Sequence, residues 1–324
     1  MAKSELKSVE KPVKKGKHPT QLVGVLRQSS IPRERFDLKR YVLERKSLID
    51  RALEHYLNTN HQPASPLHQA LDYSALDGGK RFRPILTLAV GELFEAERSA
   101  LLPFASAIEL IHCYSLIHDD LPALDNDDMR RGKPSCHKRF GEAIALLAGD
   151  ALLTEAFFIM SDPELARLLP QSMIVKLIRE ISGAAGIRGM IGGENMGLEL
   201  GNDVTATALE DMDRLKTGAL ITTAARLGAT IGRASRRDLD RITRYARALG
   251  LAFQITDDTL DAHEVSSDGA DNKPIANYLS VAGPTGAMER IKVLLAECLK
   301  EMEPYGKAAD PLRELARYVA ERRD

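Results

Sequence analysis

The sequence is poor in aromatic residues, cysteine and net charge. Tryptophan is absent and aromatic residues make up 5% of the 324 residues, so the core has to be aliphatic. Alanine and leucine are abundant, which favours helices over sheets. The three cysteines, Cys113, Cys136 and Cys298, lie far apart and fit neither a disulfide framework nor a zinc site, which indicates a reducing, cytoplasmic compartment. A net charge of −1 gives no indication of a nucleic-acid partner.

Long hydrophobic runs are also missing. No apolar stretch reaches the length of a transmembrane helix, which predicts that the chain has no membrane span. Residues 1–17 are rich in lysine but lack an apolar core, so we do not expect a signal peptide. We expect residues 1–33 to form a flexible N-terminal tail and residues 34–324 to form a single domain.

Apolar residues recur at three- and four-residue steps from Phe36 onward, and no strand-like alternation is present. The pattern predicts one all-α domain, a large antiparallel bundle of about ten helices. The predicted helices cover 36–57, 67–76, 84–97, 141–160, 165–182, 189–200, 206–232, 235–261, 286–302 and 310–322. A further helix is predicted from 103 into the aspartate-rich segment that begins at 119.

A first acidic group follows the mostly apolar stretch 105–117. It places five aspartates in ten positions: Asp119, Asp120, Asp125, Asp127 and Asp128. Such a cluster can be a solvated loop, but a buried helix that ends in it would direct the carboxylates into a cleft. That arrangement favours a hard cation such as magnesium. Since Pro122 lies between Asp119 and Asp125, the backbone is expected to bulge or restart there.

A second acidic group, Asp257, Asp258 and Asp261, also follows an apolar stretch. Positions four apart share a helix face, so Asp257 and Asp261 project together. Two acidic groups that face each other across a bundle could hold several divalent ions and a bridging polyanion.

Cations lie elsewhere in the chain. Lys80, Arg81 and Arg83 occupy a glycine-rich turn before a helix, where side chains and free N–H groups can hold a phosphate. Arg130 and Arg131 follow the first acidic group. Lys216 interrupts an apolar helical run, and it either extends to the surface or faces a polar cavity. The combined pattern predicts metal-assisted departure of a diphosphate.

At these residues the sequence resembles the trans-isoprenyl diphosphate synthases, most closely the bacterial farnesyl diphosphate synthases. The resemblance covers residues 36–322 and rests on five motifs in the family's order. They are Gly-Gly-Lys-Arg-x-Arg-Pro at 78–84, the first Asp motif with Arg130 and Arg131, Gly141-Glu142 to Gly149-Asp150, Lys216-Thr217-Gly218, and Phe253-Gln254 to Asp261.

The resemblance implies an isoprenoid-synthase helix bundle, a homodimer and three magnesium ions. It implies that four carboxylates bind or organise metal, namely those of Asp119, Asp120, Asp125 and Asp257. Two further carboxylates, those of Asp258 and Asp261, would support them. The allylic diphosphate would be held by Arg130, Lys216 and Gln254, and isopentenyl diphosphate by Lys80, Arg83, His112 and Arg131. Thr217 and Gln254 would lie near the reacting carbons, and Lys273 would close over the diphosphate.

Product length is expected to depend on the helix that leads into Asp119. In the family, an aromatic residue five positions before that aspartate, here Tyr114, accompanies a farnesyl product. Ideal helix geometry places Ser115 more nearly under Asp119. We therefore expect farnesyl diphosphate, with geranylgeranyl diphosphate as the alternative.

The sequence departs from the family pattern in two motifs. Glu194 replaces a glutamine and Gly197 replaces an aspartate for which Glu199 could substitute. Lys273 lies two residues further than usual from the following tyrosine, Tyr278.

Three other functions fit the motifs less well. A metal phosphohydrolase could use the pair His118 and Asp119, but it leaves the second acidic group and the basic turn without a role. A non-catalytic subunit would be expected to lose one acidic group. A terpene cyclase has no need of the basic site at Lys80, Arg83 and His112.

Overall fold

The computed structural model describes residues 36–58, 65–200, 204–268 and 277–322, and for residues 261–268 it describes the backbone alone. The predicted tail, residues 1–33, and Lys273 lie outside the described residues, so the division of the chain at residue 33 stays a prediction. The described part is an all-α bundle, as predicted. Its first helices are α1 (Leu38–Asn58), α2 (Pro66–Ala75), α3 (Phe82–Leu93), α4 (Arg98–Asp119), α5 (Cys136–Phe140) and α6 (Glu142–Met160). The rest are α7 (Gln171–Ala185), α8 (Met190–Glu199), α9 (Ala206–Lys216), α10 (Gly218–Ile231), α11 (Arg236–Asp268), α12 (Tyr278–Met302) and α13 (Asp310–Glu321).

Several helices begin at a residue whose side chain satisfies a free backbone N–H group. The Ser65 hydroxyl accepts a hydrogen bond from the His68 N–H at the start of α2. Thr205 caps α9 in the same way, and Asn277 and Ser280 form a reciprocal capping box at the start of α12. These caps fix where helices near the candidate site begin.

Some predicted boundaries were wrong. The helix predicted over 206–232 is two helices, because the chain kinks at Thr217 between α9 and α10. The helix predicted from 165 begins at Gln171, since Pro163–Arg167 forms a short 3-10 turn. A two-residue hairpin, β1 (Met129–Arg130) with β2 (Lys133–Pro134), was not predicted, because two-residue strands carry no alternation signal. Helix α11 extends seven residues past 261.

Helix α4 lies at the centre of the bundle. It packs against α3 and α6, while α10 packs against α3 and α11, and α11 packs against α12. Residues on all sides of α4 are buried, including Leu101, Phe104, Ile108 and Ile111. At the charged end of this helix Asp120 is buried and Asp119 is half-buried, whereas most of the turn that follows, including Asp125, is exposed.

The expectation that no apolar stretch is long enough for a membrane span was wrong, although the two segments that are long enough do not by themselves establish a span. By length and composition, Arg98–Asp119 and Glu142–Arg167 are both long and apolar enough to cross a membrane. Sequence reading missed them because isolated polar residues interrupt each run. The most apolar part of the first segment is 83% buried, which identifies it as the core helix of the bundle. The corresponding part of the second segment is only 39% buried.

Candidate active site

The first acidic group begins at the C-terminal end of α4. The helix ends at Asp119, and the turn that contains Pro122 folds back on it. The Asp125 N–H donates to the Asp119 carbonyl at 2.9 Å, and the Asn126 N–H donates to the Leu121 carbonyl at 3.2 Å. Asn126 takes the left-handed conformation, φ +54°, which asparagine tolerates well. The backbone thus leaves the helix, and Asp119 and Asp125 are brought together by a turn.

Burial and like charges act on these carboxylates. The pKa of Asp119 is raised to about 7, mainly by burial and also by the nearby Glu194 and Asp125, while Lys216 and Arg130 act to lower it. Burial also raises the pKa of Asp125. Crowded acids of this kind gain stability from a bound cation.

The hairpin formed by β1 and β2 directs the two arginines to opposite partners. The Arg130 guanidinium donates to Asp120 Oδ1 at 2.8 Å through Nε and to Asp127 Oδ2 at 3.0 Å. Arg131, with φ +53°, points toward the glycine-rich turn and donates to the Gly78 carbonyl at 3.3 Å. Gly79 has φ +101°, a backbone conformation that favours glycine, and a Cβ there would also lie 2.8 Å from the flexible end of Arg131 at Nη1.

A basic group forms beside this turn. Arg83 is buried, its Nε has no hydrogen-bond partner, and burial lowers the pKa of its guanidinium. Burial also lowers the pKa of His112 well below its usual value, with Arg83 and Arg131 adding to the effect. Lys80 is exposed at the edge of the turn. An unpartnered buried guanidinium is costly unless an anion binds it, so this group fits a phosphate.

Arg81, the third cation of the turn, has a structural role that the sequence did not reveal. Its side chain is fully buried and donates to Asp50 Oδ1 at 2.9 Å, Glu109 Oε1 at 3.0 Å and the Ala75 carbonyl at 2.7 Å. Arg81 thereby ties α1, α2 and α4 to the start of α3.

Lys216 faces the cavity, which decides between its two predicted placements. Its Nζ lies 2.6 Å from Glu194 Oε2. Burial acts to lower the pKa of Lys216, but Glu194, Asp119 and Asp125 raise it overall. Helices α8 and α9 approach so closely here that a Cβ at Gly193 would lie 2.2 Å from the Lys216 backbone nitrogen.

The second acidic group is connected to the kink at Thr217 by a chain of hydrogen bonds. The Thr217 hydroxyl donates to Gln254 Oε1 at 2.7 Å, and Gln254 Nε2 donates to Asp258 Oδ1 at 2.8 Å. The other Asp258 oxygen accepts from the Tyr278 N–H at 2.9 Å. Both oxygens of Asp258 are therefore engaged in positioning Gln254 and the start of α12.

The sequence missed two partners of this group. Arg322, near the C-terminal end of the described residues, donates to the Asp257 carboxylate and lies over the Phe253 ring, 4.2 Å from its centre. Asp213 is buried beside Asp258, and burial raises its pKa to about 7. The backbone of Asp261 lies on α11, and its side chain is outside the described residues.

A cavity of about 440 Å³ connects Asp119 and Lys216. Polar groups line its upper part, and Tyr114 and Ser115 of α4 lie one turn below Asp119. Its other walls are mainly apolar: Leu116, Leu124, Met190, Ile191 and Leu198. Asn195 also lines the cavity, whereas Glu199 accepts a hydrogen bond from Asn195 at 2.9 Å. The site therefore combines charged groups with mainly apolar walls in one cavity, of which Ile191 and Leu198 are exposed at the edge.

The chain is similar in sequence to proteins of a known family. The profile of the Polyprenyl synthetase family matches residues 64–279. The chain belongs to the polyprenyl synthetase family. It is 42% identical over 269 residues to farnesyl diphosphate synthase of Escherichia coli, covering 80% of this chain and 90% of that protein. It is 38% identical to the heterodimeric geranylgeranyl pyrophosphate synthase large subunit 1, chloroplastic, of Arabidopsis thaliana, covering 89% and 80%.

A solved structure has the same fold. The apo crystal structure of a FPP/GFPP synthase from Zymomonas mobilis superposes with a TM-score of 0.79 at 38% identity, covering 87% of this chain and 98% of that one. Family membership and fold confirm the resemblance seen in the sequence. The roles of individual side chains stay predictions.

Proposed function

We propose that this protein is a farnesyl diphosphate synthase, which condenses isopentenyl diphosphate with dimethylallyl and geranyl diphosphate. The observation that carries the proposal is that Asp119, Lys216 and Arg83 line one cavity whose other walls are mainly apolar. The relatives support this function, since farnesyl synthases are among those at 42% identity. The alternative product, geranylgeranyl diphosphate, is supported by relatives at 38% and 36% identity.

Divalent metal, which we propose to be three magnesium ions, would neutralise the diphosphate that leaves the allylic substrate. The available ligands are carboxylate oxygens of Asp119, Asp120, Asp125 and Asp257, with Asp258 and Asp261 in support, and such oxygens suit magnesium. Among the described residues, no three candidate ligand side chains converge on one point. This fits a magnesium ion that takes one or two carboxylates and completes its shell with phosphate oxygens and water.

The protein's own groups perform the rest of the reaction. Lys216 and Arg130 hold the allylic diphosphate and stabilise its negative charge as it departs. The apolar walls exclude water from the allylic cation until the alkene of isopentenyl diphosphate attacks it. Thr217 and Gln254 lie beside the reacting carbons, and the released diphosphate takes the proton.

Isopentenyl diphosphate would bind at the basic group. Arg83 and Arg131 supply charge and bidentate hydrogen bonds, and Lys80 adds charge at the exposed edge. His112 would act as a neutral hydrogen-bonding group, because its pKa is lowered well below the usual value by burial and by the arginines. Lys273 would close over the allylic diphosphate.

Product analysis tests the function directly. The purified chain is incubated with geranyl diphosphate, radiolabelled isopentenyl diphosphate and magnesium, and the products are dephosphorylated and chromatographed. We expect farnesol as the main product. The absence of any elongated product would reject the synthase function, and a main product of geranylgeraniol would favour the alternative.

The affinity for magnesium is expected to increase as the pH rises from 6 to 8. Asp119 has a pKa raised to about 7 by burial and by Glu194, so below that pH a cation has to displace a proton. The apparent affinity should change by at most about tenfold per pH unit and level off above pH 7 to 8. Isothermal titration of magnesium in buffers with different ionisation enthalpies measures both affinity and released protons. An affinity independent of pH, with no proton release near pH 7, would contradict this prediction.

The substitution Tyr114→Ala is expected to lengthen the product beyond farnesyl diphosphate. The Tyr114 ring lies in the cavity wall one turn below Asp119 and packs edge-on against His118, with ring centres 5.7 Å apart. Removing the ring would deepen the cavity in the direction of the growing chain. Chromatography of the products measures the change, and Ser115→Ala serves as the control because Ser115 donates to the His112 carbonyl and fills little volume. Unchanged product length in Tyr114→Ala would reject Tyr114 as the floor.

We also propose a cytoplasmic homodimer. Helix α6 is strongly apolar, yet Leu146, Leu147 and Phe158 are 48%, 51% and 63% exposed. Val175 on α7 adds to the exposed apolar surface. Burial of these exposed apolar side chains against a second copy would stabilise them. Analytical ultracentrifugation tests the proposal, with a monomer at micromolar concentration as the contrary outcome.

A further inference from the structure

Glu194 takes an unusual position for a carboxylate. It lies on α8 in the wall of the cavity, and its Oε2 is 2.6 Å from the Nζ of Lys216, the lysine proposed to hold the allylic diphosphate. The Glu194 side chain is 19% exposed, so most of it is removed from solvent. The close approach of α8 and α9 at Gly193 fixes this pairing, since no side chain separates the two helices there.

The pairing changes what the cavity offers to an anion. Around Lys216 lie three carboxylates, Glu194, Asp119 and Asp125, all of which raise the pKa of the lysine. The nearby Arg130 is already hydrogen-bonded to Asp120 and Asp127. A diphosphate that approaches Lys216 therefore has to compete with Glu194 for the ammonium group and is repelled by the carboxylates around it.

We propose that Glu194 is a positioning residue that makes diphosphate binding at Lys216 dependent on divalent cations. Cations that neutralise Asp119 and Asp125 would also attract the Glu194 carboxylate, whose oxygens suit the same hard ions. Lys216 would then be released to the diphosphate. A glutamine at this position could not hold Lys216 through an ion pair, so its ammonium group would be open to an anion without cations.

The role of Glu194 matters for catalysis only if the proposed function is correct. The experiment that tests it measures binding alone and does not depend on that function. Glu199→Gln is the matched control. Glu199 lies on the same helix and carries the same charge, but it contacts Asn195 rather than Lys216. Any effect of net charge or of α8 stability should appear in both variants, whereas loss of the pairing with Lys216 occurs only in Glu194→Gln.

Inorganic diphosphate is titrated calorimetrically into the full chain and the two variants in EDTA, and manganese is titrated separately without diphosphate. We expect Glu194→Gln to bind diphosphate about tenfold more tightly than the wild type in EDTA and to bind manganese several-fold more weakly. Glu199→Gln should match the wild type in both titrations. Equal diphosphate affinity for the wild type and Glu194→Gln, or equal tightening in both variants, would overturn the inference. Thermal unfolding confirms that each variant is folded, and a failure of the synthase assay would leave these binding results unaffected.

Discussion

Replacing Arg81 with alanine is expected to lower the free energy of unfolding by about 3–5 kcal/mol. The fully buried guanidinium bridges Asp50 on α1, Glu109 on α4 and the end of α2. Its removal leaves the Glu109 carboxylate, 2% exposed, without its ion pair in the core. An unpaired charge in that environment is far more costly than the lost contacts alone, so part of the population should be unfolded at 37 °C.

The comparison is with Arg98→Ala. Arg98 pairs with Glu92 at 3.4 Å, but its side chain is 55% exposed, and an ion pair of this kind contributes about 0–1 kcal/mol. Urea unfolding followed by circular dichroism measures both variants. A loss below about 1 kcal/mol in Arg81→Ala would show that the buried Glu109 does not depend on its ion pair with Arg81. The turn at 78–84 therefore serves both stability, through Arg81, and the proposed substrate site, through Lys80 and Arg83.

Gly193→Ala is expected to lower kcat/KM for prenyl transfer by about 100-fold. The added Cβ would lie 2.2 Å from the Lys216 backbone nitrogen and 2.7 Å from its Cα. Both contacts are with backbone, so α8 and α9 have to separate by about 1 Å, which would move Lys216 away from the position proposed for the diphosphate. The substitution also shifts Glu194, the neighbouring residue, so both sides of the ion pair lose their positions.

Gly197→Ala is the control on the same helix. Its added Cβ would meet only the flexible Met212 side chain, at 3.3 Å from Sδ, and alanine favours helix more than glycine does. We expect near wild-type activity and equal or slightly higher stability for this variant. Steady-state kinetics with geranyl diphosphate, together with thermal unfolding, separates the two effects. Equal activity in both variants would show that the separation of α8 and α9 does not control Lys216.

The charged groups of the site are largely paired with one another. Arg130 pairs with Asp120, Lys216 with Glu194 and Arg322 with Asp257. Pairing of this kind lowers the cost of gathering so many charges within the bundle. If these residues bind substrate and cations as proposed, each ligand has to displace an existing partner rather than fill a preformed site. Arg83 differs, since its Nε is buried and has no hydrogen-bond partner.

The sequence by itself determined the fold class, the family and most of the residues that meet at the site. Helical periodicity is a local property, and the two acidic groups and the glycine-rich turn are contiguous in the chain, so each can be read without knowing the fold. The order of the motifs added the family. The length of α11, the kink at Thr217 and the hairpin at Arg130 were not predicted correctly, because tertiary packing decides where such elements end.

Only the tertiary structure decided which charge pairs with which. Glu194 and Lys216 lie 22 positions apart, and Asp257 and Arg322 lie 65 apart, and sequence spacing over such distances carries no information about contact. The same is true of Arg81, whose local motif suggested a phosphate ligand until its partners on α1 and α4 showed that it is part of the core. The geometry of the first acidic group also depends on the tertiary structure. The sequence predicted the cluster, but the turn that brings Asp125 back to Asp119 and the burial that raises the pKa of Asp119 depend on how α4 is packed within the bundle.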